Sequence, residues 1–167
     1  MNLNVSLVPF REEHISLTFE WIQDPDFQQL FLMRDRPTWD GHIKYFDNML
    51  KDPAQRVYAI LSEGRHVGNC GVKNISLTNK EGELWIYIGD PRMRRKGIAS
   101  HATRLLAAKG FIELGLERII VHVADFNVSA IKLYKKLGFI EVPVSDNSKE
   151  WTNRGCNIIR MELKKQT

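Results

Sequence analysis

Between Glu83 and Leu114 the hydrophobic period changes from two residues to about 3.6, so this stretch must fold as a strand, a turn and a helix in that order. Glu83 to Ile88 alternates strictly, with Leu84, Ile86 and Ile88 on one face and Glu83, Trp85 and Tyr87 on the other. Gly89-Asp90-Pro91 ends the strand. From Gly97 to Leu114 the residues Ile98, Ala102, Leu105, Leu106 and Ile112 form an apolar helical stripe that stops near Gly115. Arg92 and the run Arg94-Arg95-Lys96-Gly97-Ile98-Ala99 lie between them, and place four cations where a helix dipole disfavours positive charge. An anion held by the N–H groups of that turn would account for them, and Gly97 and Ala99 are small enough for close approach. A solvated basic turn is the alternative, and these residues alone do not choose between the two.

The rest of the chain supplies strands and helices around this unit. Asn4 to Phe10 reads as a strand, and Ile15, Phe19 and Ile22 recur at helical spacing until Asp24-Pro25 stops the pattern. A second helix runs from Trp39 to Leu50 and ends at Asp52-Pro53. Val57 to Leu61 and His66 to Ile75 are strands joined by the Gly-containing connection Ser62 to Arg65, which makes a hairpin. After the basic turn and its helix come a buried strand, Ile119 to Ala124, and a helix from Asn127 to Leu137 closed by Gly138. Phe139 to Val144 and Ile158 to Leu163 read as strands on either side of a polar stretch, Ser145 to Gly155. The class is α/β, and 167 residues without a linker or repeat are expected to form one domain, 1–167.

Composition narrows the partners. A chain with 43% hydrophobic and 26% charged residues has the make-up of an ordinary globular protein. The net charge of +4, with no long Lys/Arg run, favours a small anionic ligand and argues against nucleic acid as a partner. The opening MNLNVSLVPF lacks signal-peptide features and no segment has the length of a membrane span, so the expectation is a cytoplasmic protein with no membrane partner. Cys70 and Cys156 have no metal-ligand spacing, and no metal is expected.

Arg94, Gly97 and Ala99 match the Arg/Gln-x-x-Gly-x-Gly/Ala signature by which the GNAT N-acetyltransferase superfamily binds acetyl-coenzyme A. A second block, Asn127-Val-Ser-Ala130-Ile-Lys-Leu-Tyr134-Lys-Lys-Leu-Gly138-Phe139, resembles that family at the expected distance. Pro9-Phe10-Arg11-Glu12 and Trp21-Ile22-Gln23-Asp24-Pro25 are similar to the branch with ribosomal-protein N-terminal and amino-sugar acetyltransferases. The resemblance implies a central mixed, mostly antiparallel sheet of about six to seven strands flanked by about four helices. It also implies transfer of acetyl from acetyl-coenzyme A to a primary amine by direct attack, without metal.

By that resemblance, backbone N–H groups of Arg94, Arg95, Lys96, Gly97, Ile98, Ala99 and Ser100 hold the pyrophosphate, with Arg95 and Lys96 adding charge. The family often has Gly where this chain has Arg95. The strand from Glu83 to Gly89 would splay from that of Ile119 to Ala124, so that Ile86, Tyr87 and Ile88 pair with the pantetheine arm. A fixed N–H donor there would stabilise the oxyanion of acyl transfer, worth roughly 3 kcal/mol in other enzymes. Asn127 matches a cofactor-binding Asn, and is equally a good helix cap.

Tyr134 matches the tyrosine that protonates the departing thiolate, although its place on the Ile131 and Leu137 stripe also suits core packing. An unperturbed tyrosine is a weaker acid than a thiol, which makes full transfer uphill by roughly 2 kcal/mol. Glu83 is the candidate base for the amine proton, an exposed strand-end carboxylate being its bland alternative, and His122 is the rival. Arg34, Arg36 and Trp39, with His42, Tyr45 and Phe46 following and Trp85 on the Glu83 face, are candidates for acceptor binding. Paired arginines and aromatics suit a nucleotide-linked amino sugar. A protein N-terminal amine is the alternative enzyme reading, a polyamine is disfavoured by the basic chain, and a catalytically silent coenzyme A-binding module is the alternative of another class. The expected partner is therefore a small-molecule or peptide amine, with the protein a monomer or a homodimer.

Overall fold

Seven strands form a single sheet in the order β1-β2-β3-β4-β5-β7-β6, in a computed structural model that describes residues 3–31, 33, 35–144 and 156–166. In chain order the elements are β1 (Val5–Pro9), α1 (Ile15–Ile22), α2 (Pro25–Leu30), α3 (Trp39–Lys51), β2 (Arg56–Ser62), β3 (Arg65–Ser76) and β4 (Glu81–Ile88). They continue with α4 (Ile98–Ile112), β5 (Arg118–Ala124), α5 (Val128–Lys136), β6 (Ile140–Val142) and β7 (Ile158–Lys164). Every neighbouring pair is antiparallel except β4 and β5, so the mixed, mostly antiparallel sheet expected from the sequence is present. The polar stretch from Ser145 to Gly155 lies outside the described residues.

The two faces of β4 belong to two cores, as its strict alternation requires. Leu84 is buried, with Ile86 and Ile88 packed alongside, in the larger cluster that contains Ile98, Ala102 and Leu106 of α4 and Tyr134 of α5. Trp85, on the opposite face, packs against a smaller cluster built from Phe10, Ile15, Phe46, Met49, Val57 and Ala59. Helices therefore cover both sides of the sheet, and the side chains of β4 sort between them by register alone.

One helix departs from the sequence expectation. Asp24-Pro25 ends α1, and it also begins α2: the Asp24 carboxylate accepts from the Asp26 N–H at 3.0 Å, and Pro25 takes the first helical position, where no N–H is needed. Phe27 is then buried, and Gln28 Nε2 donates to the Ile22 carbonyl at 2.8 Å, tying α2 back to α1. The described residues then form five α-helices, one more than expected, and the extra one borders a large cavity.

Candidate active site

The parallel pairing of β4 with β5 runs only through Glu81, Gly82 and Glu83 against Arg118, Ile119 and Ile120. Both strands continue beyond it, β4 to Ile88 and β5 to Ala124, so a wedge opens between them. Backbone groups that would close a sheet are left facing a cavity of about 610 Å³. Its walls include Glu83, Trp85, Ile86 and Tyr87 from β4, His122 from β5, and Asn127 and Tyr134 from the start and middle of α5.

Glu83 and His122, read from sequence as rival bases, are partners. His122 Nδ1 lies 2.7 Å from Glu83 Oε1. Asn74 Nδ2 donates to Glu83 Oε2 at 3.0 Å, and Lys73 Nζ stands 3.9 Å from Oε1. The Glu83 side chain is only 14% exposed, which removes the picture of a solvated strand-end carboxylate. Burial works to raise its carboxyl, but the hydrogen bond from His122, the Lys73 charge and the Asn74 amide together hold it below the ordinary carboxylate range. Sequence placed both residues near one cleft; their contact depends on the parallel register that sets Glu83 beside Ile120, and no sequence pattern carries that register.

Tyr134 packs in the core and also reaches the cavity. Its ring is 6% exposed and packs in the α4–α5 core at 5.2 Å from Phe139, while the residue also lines the cavity. Burial pushes its phenol well above the usual tyrosine range, so it stays protonated at any working pH. Asn127 is the cap of α5, its Oδ1 accepting from the Ala130 N–H at 3.3 Å, and the residue also lines the cavity.

The basic turn divides its cations. Arg92 grips Asp90 through two hydrogen bonds, Nε to Oδ1 at 3.1 Å and Nη2 to Oδ2 at 3.0 Å. Arg94 Nε donates to the Ile88 carbonyl at 3.0 Å, stitching the turn to the end of β4. Among the described residues, Arg95 and Lys96 have no ion-pair partner, and both are exposed. Arg95 and Gly97 have φ of 62° and 82°, left-handed values that fold the chain back on itself before Ile98 enters α4. Ile98 itself is buried in the core, and Ala99 and Ser100 follow in the first turn, so this stretch offers a bound anion backbone N–H groups rather than side chains.

The acceptor-side candidates scatter. Trp85 lines the cavity and stacks on Tyr87 at 5.9 Å. Trp39 packs edge-on against Phe19 at 5.2 Å, and Arg36 Nε donates to Gln23 Oε1 at 2.6 Å; neither reaches the cavity wall. Arg34 lies outside the described residues. His42, Tyr45 and Phe46 do line the cavity, and two aromatic residues that the sequence reading did not single out join them: Phe27 and Phe31 sit edge-on to Tyr87 at 4.9 and 5.6 Å. Lys73 is the one lysine or arginine among the described lining residues. Among the described residues no group of three or more potential metal ligands occurs, and no helix is long and apolar enough to cross a membrane.

Residues 4–140 match the family model described as "Acetyltransferase (GNAT) domain". The chain is similar to an "N-acetyltransferase 9-like protein" of Caenorhabditis briggsae, 27% identical over 158 residues that cover 87% of this chain and 79% of the relative. Against "Alpha/beta-tubulin-N-acetyltransferase 9" of Mus musculus the identity is 25% over 163 residues, 90% of this chain and 67% of the relative. Among solved structures, spermidine N-acetyltransferase from Vibrio cholerae in complex with CoA and spermine shares the fold, with a TM-score of 0.84 at 18% identity over 96% of this chain and 95% of that one.

Proposed function

The chain belongs to the GNAT acetyltransferase family and is an acetyl-CoA-dependent acyltransferase, and from that premise we propose that it acetylates a primary amine in the wedge between β4 and β5. The contact that carries this reading is Glu83 to His122 at 2.7 Å, facing the same cavity as Tyr134. Acetyl-CoA supplies the activated acyl group. The chain's own residues bind it and move two protons.

Binding falls to backbone groups. The N–H groups of Gly97 to Ser100 hold the pyrophosphate, Arg95 and Lys96 add positive charge, and Ile86, Tyr87 and Ile88 pair with the pantetheine arm along the open edge of β4. The wedge supports that assignment, because β4 has strand geometry there and no strand partner on its β5 side.

Proton transfer falls to the side chains. Ionised Glu83 accepts the Nδ1–H of His122, which fixes the tautomer and leaves Nε2 with its lone pair. His122 takes the proton of the incoming ammonium, directly or through one water, and Glu83 is a positioning residue. As the N–C bond forms and the C–S bond breaks, Tyr134 donates to the leaving sulfur and regains a proton from the second N–H of the attacking nitrogen, while the proton taken by His122 leaves to solvent. Burial raises the Tyr134 phenol, so it meets the sulfur as a protonated donor that hydrogen-bonds it while the C–S bond lengthens.

The lining favours a peptide α-amine over a nucleotide-linked amino sugar as acceptor. A diphosphate needs fixed cations, and Lys73, already beside Glu83, is the one that the described wall provides. Phe27, Phe31, Trp85 and Tyr87 suit an apolar first side chain instead. Relatives named as tubulin N-acetyltransferases support a protein over a sugar acceptor. A thiol-release assay with acetyl-CoA tests it: peptides with apolar first residues are expected to exceed nucleotide amino sugars, aminoglycosides and polyamines in kcat/KM. Preference for the nucleotide sugar would overturn the acceptor assignment, and no release with any amine would overturn the reaction.

A further inference from the structure

Asn69 of β3 is completely buried, and its amide sits at the centre of a hydrogen-bond chain whose direction can be derived. The chain starts at a backbone carbonyl, which only accepts. Thr18 Oγ1 lies 2.8 Å from the His14 carbonyl oxygen, so Thr18 spends its one proton there. The contact between Thr18 Oγ1 and Asn69 at 2.8 Å must then be donated by Asn69, which puts the amide nitrogen on that side. Asn69 Oδ1 is left facing His66, whose Nε2 donates at 2.7 Å. The second amide N–H goes to the Tyr87 hydroxyl oxygen at 2.8 Å.

That last bond decides what Tyr87 can do. Its oxygen accepts from Asn69, so its own proton must go elsewhere, and among the described residues nothing takes it. Burial pushes the phenol above the usual range, so the proton is retained. Tyr87 lines the cavity on the β4 face that it shares with Glu83, four residues or about 13 Å along the strand. A tyrosine on a cavity wall whose hydroxyl oxygen already accepts a hydrogen bond, with its proton unclaimed among the described residues, can donate to an acceptor atom on a ligand.

We infer that Tyr87 selects amines carrying an oxygen within a few bonds of the reacting nitrogen, by donating its hydroxyl proton to that oxygen. This rests on the acceptor site proposed above and adds a requirement to it. An amide carbonyl of a peptide meets the requirement, and so does a sugar hydroxyl. A polyamine does not, because its protonated nitrogens have no lone pair to offer. Asn69 acts through Tyr87 as a positioning residue, with His66 and Thr18 holding its amide in the required sense.

The test compares phenylalaninamide with 2-phenylethylamine, which keeps the ring and the amine and lacks the carbonyl, in the wild type and in Tyr87→Phe. Phe keeps the ring contacts with Phe27 and Phe31 and loses the donor together with the oxygen that accepts from Asn69. Intrinsic differences in amine basicity cancel in the ratio of ratios. The kcat/KM preference for the amide is expected to fall about tenfold in Tyr87→Phe. A glucosamine arm reports a hydroxyl instead: a tenfold loss there, with the amide preference unmoved, keeps the donor and assigns the oxygen to a sugar. Unchanged values in both arms overturn the inference, whereas no thiol release from the wild type with any amine overturns the underlying reaction first. Should Tyr87→Phe not fold, product inhibition of the wild type decides: N-acetyl-phenylalaninamide is expected to bind about tenfold tighter than N-acetyl-phenylethylamine, and equal binding overturns the inference.

Discussion

In the proposed reaction Glu83 and His122 act as one unit, so their effects should not add. Glu83→Gln and His122→Gln are each expected to lower kcat/KM by about 100-fold, and the double variant by little more than either alone. The pH profile separates the roles: Glu83→Gln should change the acidic side of kcat/KM as well as its height, because it removes the ionised carboxylate that holds the His122 ring. Tyr134→Phe is expected to cut turnover by about 100-fold while the acetyl-CoA dissociation constant changes less than about threefold, measured by calorimetry. Glu83 also makes a stability statement. Its carboxyl is held below the ordinary range, so its contribution is complete above about pH 4.3 and is lost as pH falls through the lower folded value. Glu83→Gln should therefore flatten the fall of Tm in that acid window. The residues of this site were legible from motif and strand face, but their partnership was not: it is made by Glu83 and His122 lying 39 positions apart and joined through a parallel register.

At the scale of elements, the basic turn and α2 show how much a short signal can hide. Arg95 occupies a left-handed conformation, φ 62°, that favours glycine. Arg95→Gly should relieve about 1 to 2 kcal/mol of backbone cost, offset in part by the extra freedom of the unfolded chain, and raise stability by about 0.5 kcal/mol. If the Arg95 charge helps to hold the pyrophosphate, the same variant should weaken acetyl-CoA binding in a salt-dependent way, and equal affinity at low and high salt would remove that role. The alternation of β4 and the stripe of α4 were readable because each repeats over several turns or pleats. Helix α2 was not, since it has six residues and opens on an Asp-Pro pair that also reads as a stop. Its cap should matter to function: Asp24→Ala is expected to cost about 1 kcal/mol and to raise the acceptor KM, through displaced Phe27, without changing the acetyl-CoA KM.

For the whole molecule, three histidines pack the N-terminal helices against one another and against β3 in neutral form. Burial lowers His14, His42 and His66; nearby hydrogen bonds, or for His14 the Glu13 charge, oppose it only in part. Their unfolded counterparts titrate near pH 6.5, so the unfolded chain binds more protons below that value and stability falls as pH drops toward the folded values. Tm should decline from pH 7 to pH 5 more steeply than in a variant with His42→Asn, whose side chain cannot titrate. The overall architecture was visible from the order of elements, while its seam was not, because strand splay depends on which pairs stop bonding and side-chain patterns do not record that.

That seam makes this a divisible enzyme. Three residue pairs join β1–β4 to β5–β7–β6, and the chain crosses between the halves through an exposed turn at Gly115, φ 66°. Cut there, one fragment would keep the basic turn, Glu83 and the aromatic wall, and the other His122, Asn127 and Tyr134. Neither would hold a complete set for moving protons, so thiol release from a mixture of the two would count reassembled molecules and nothing else.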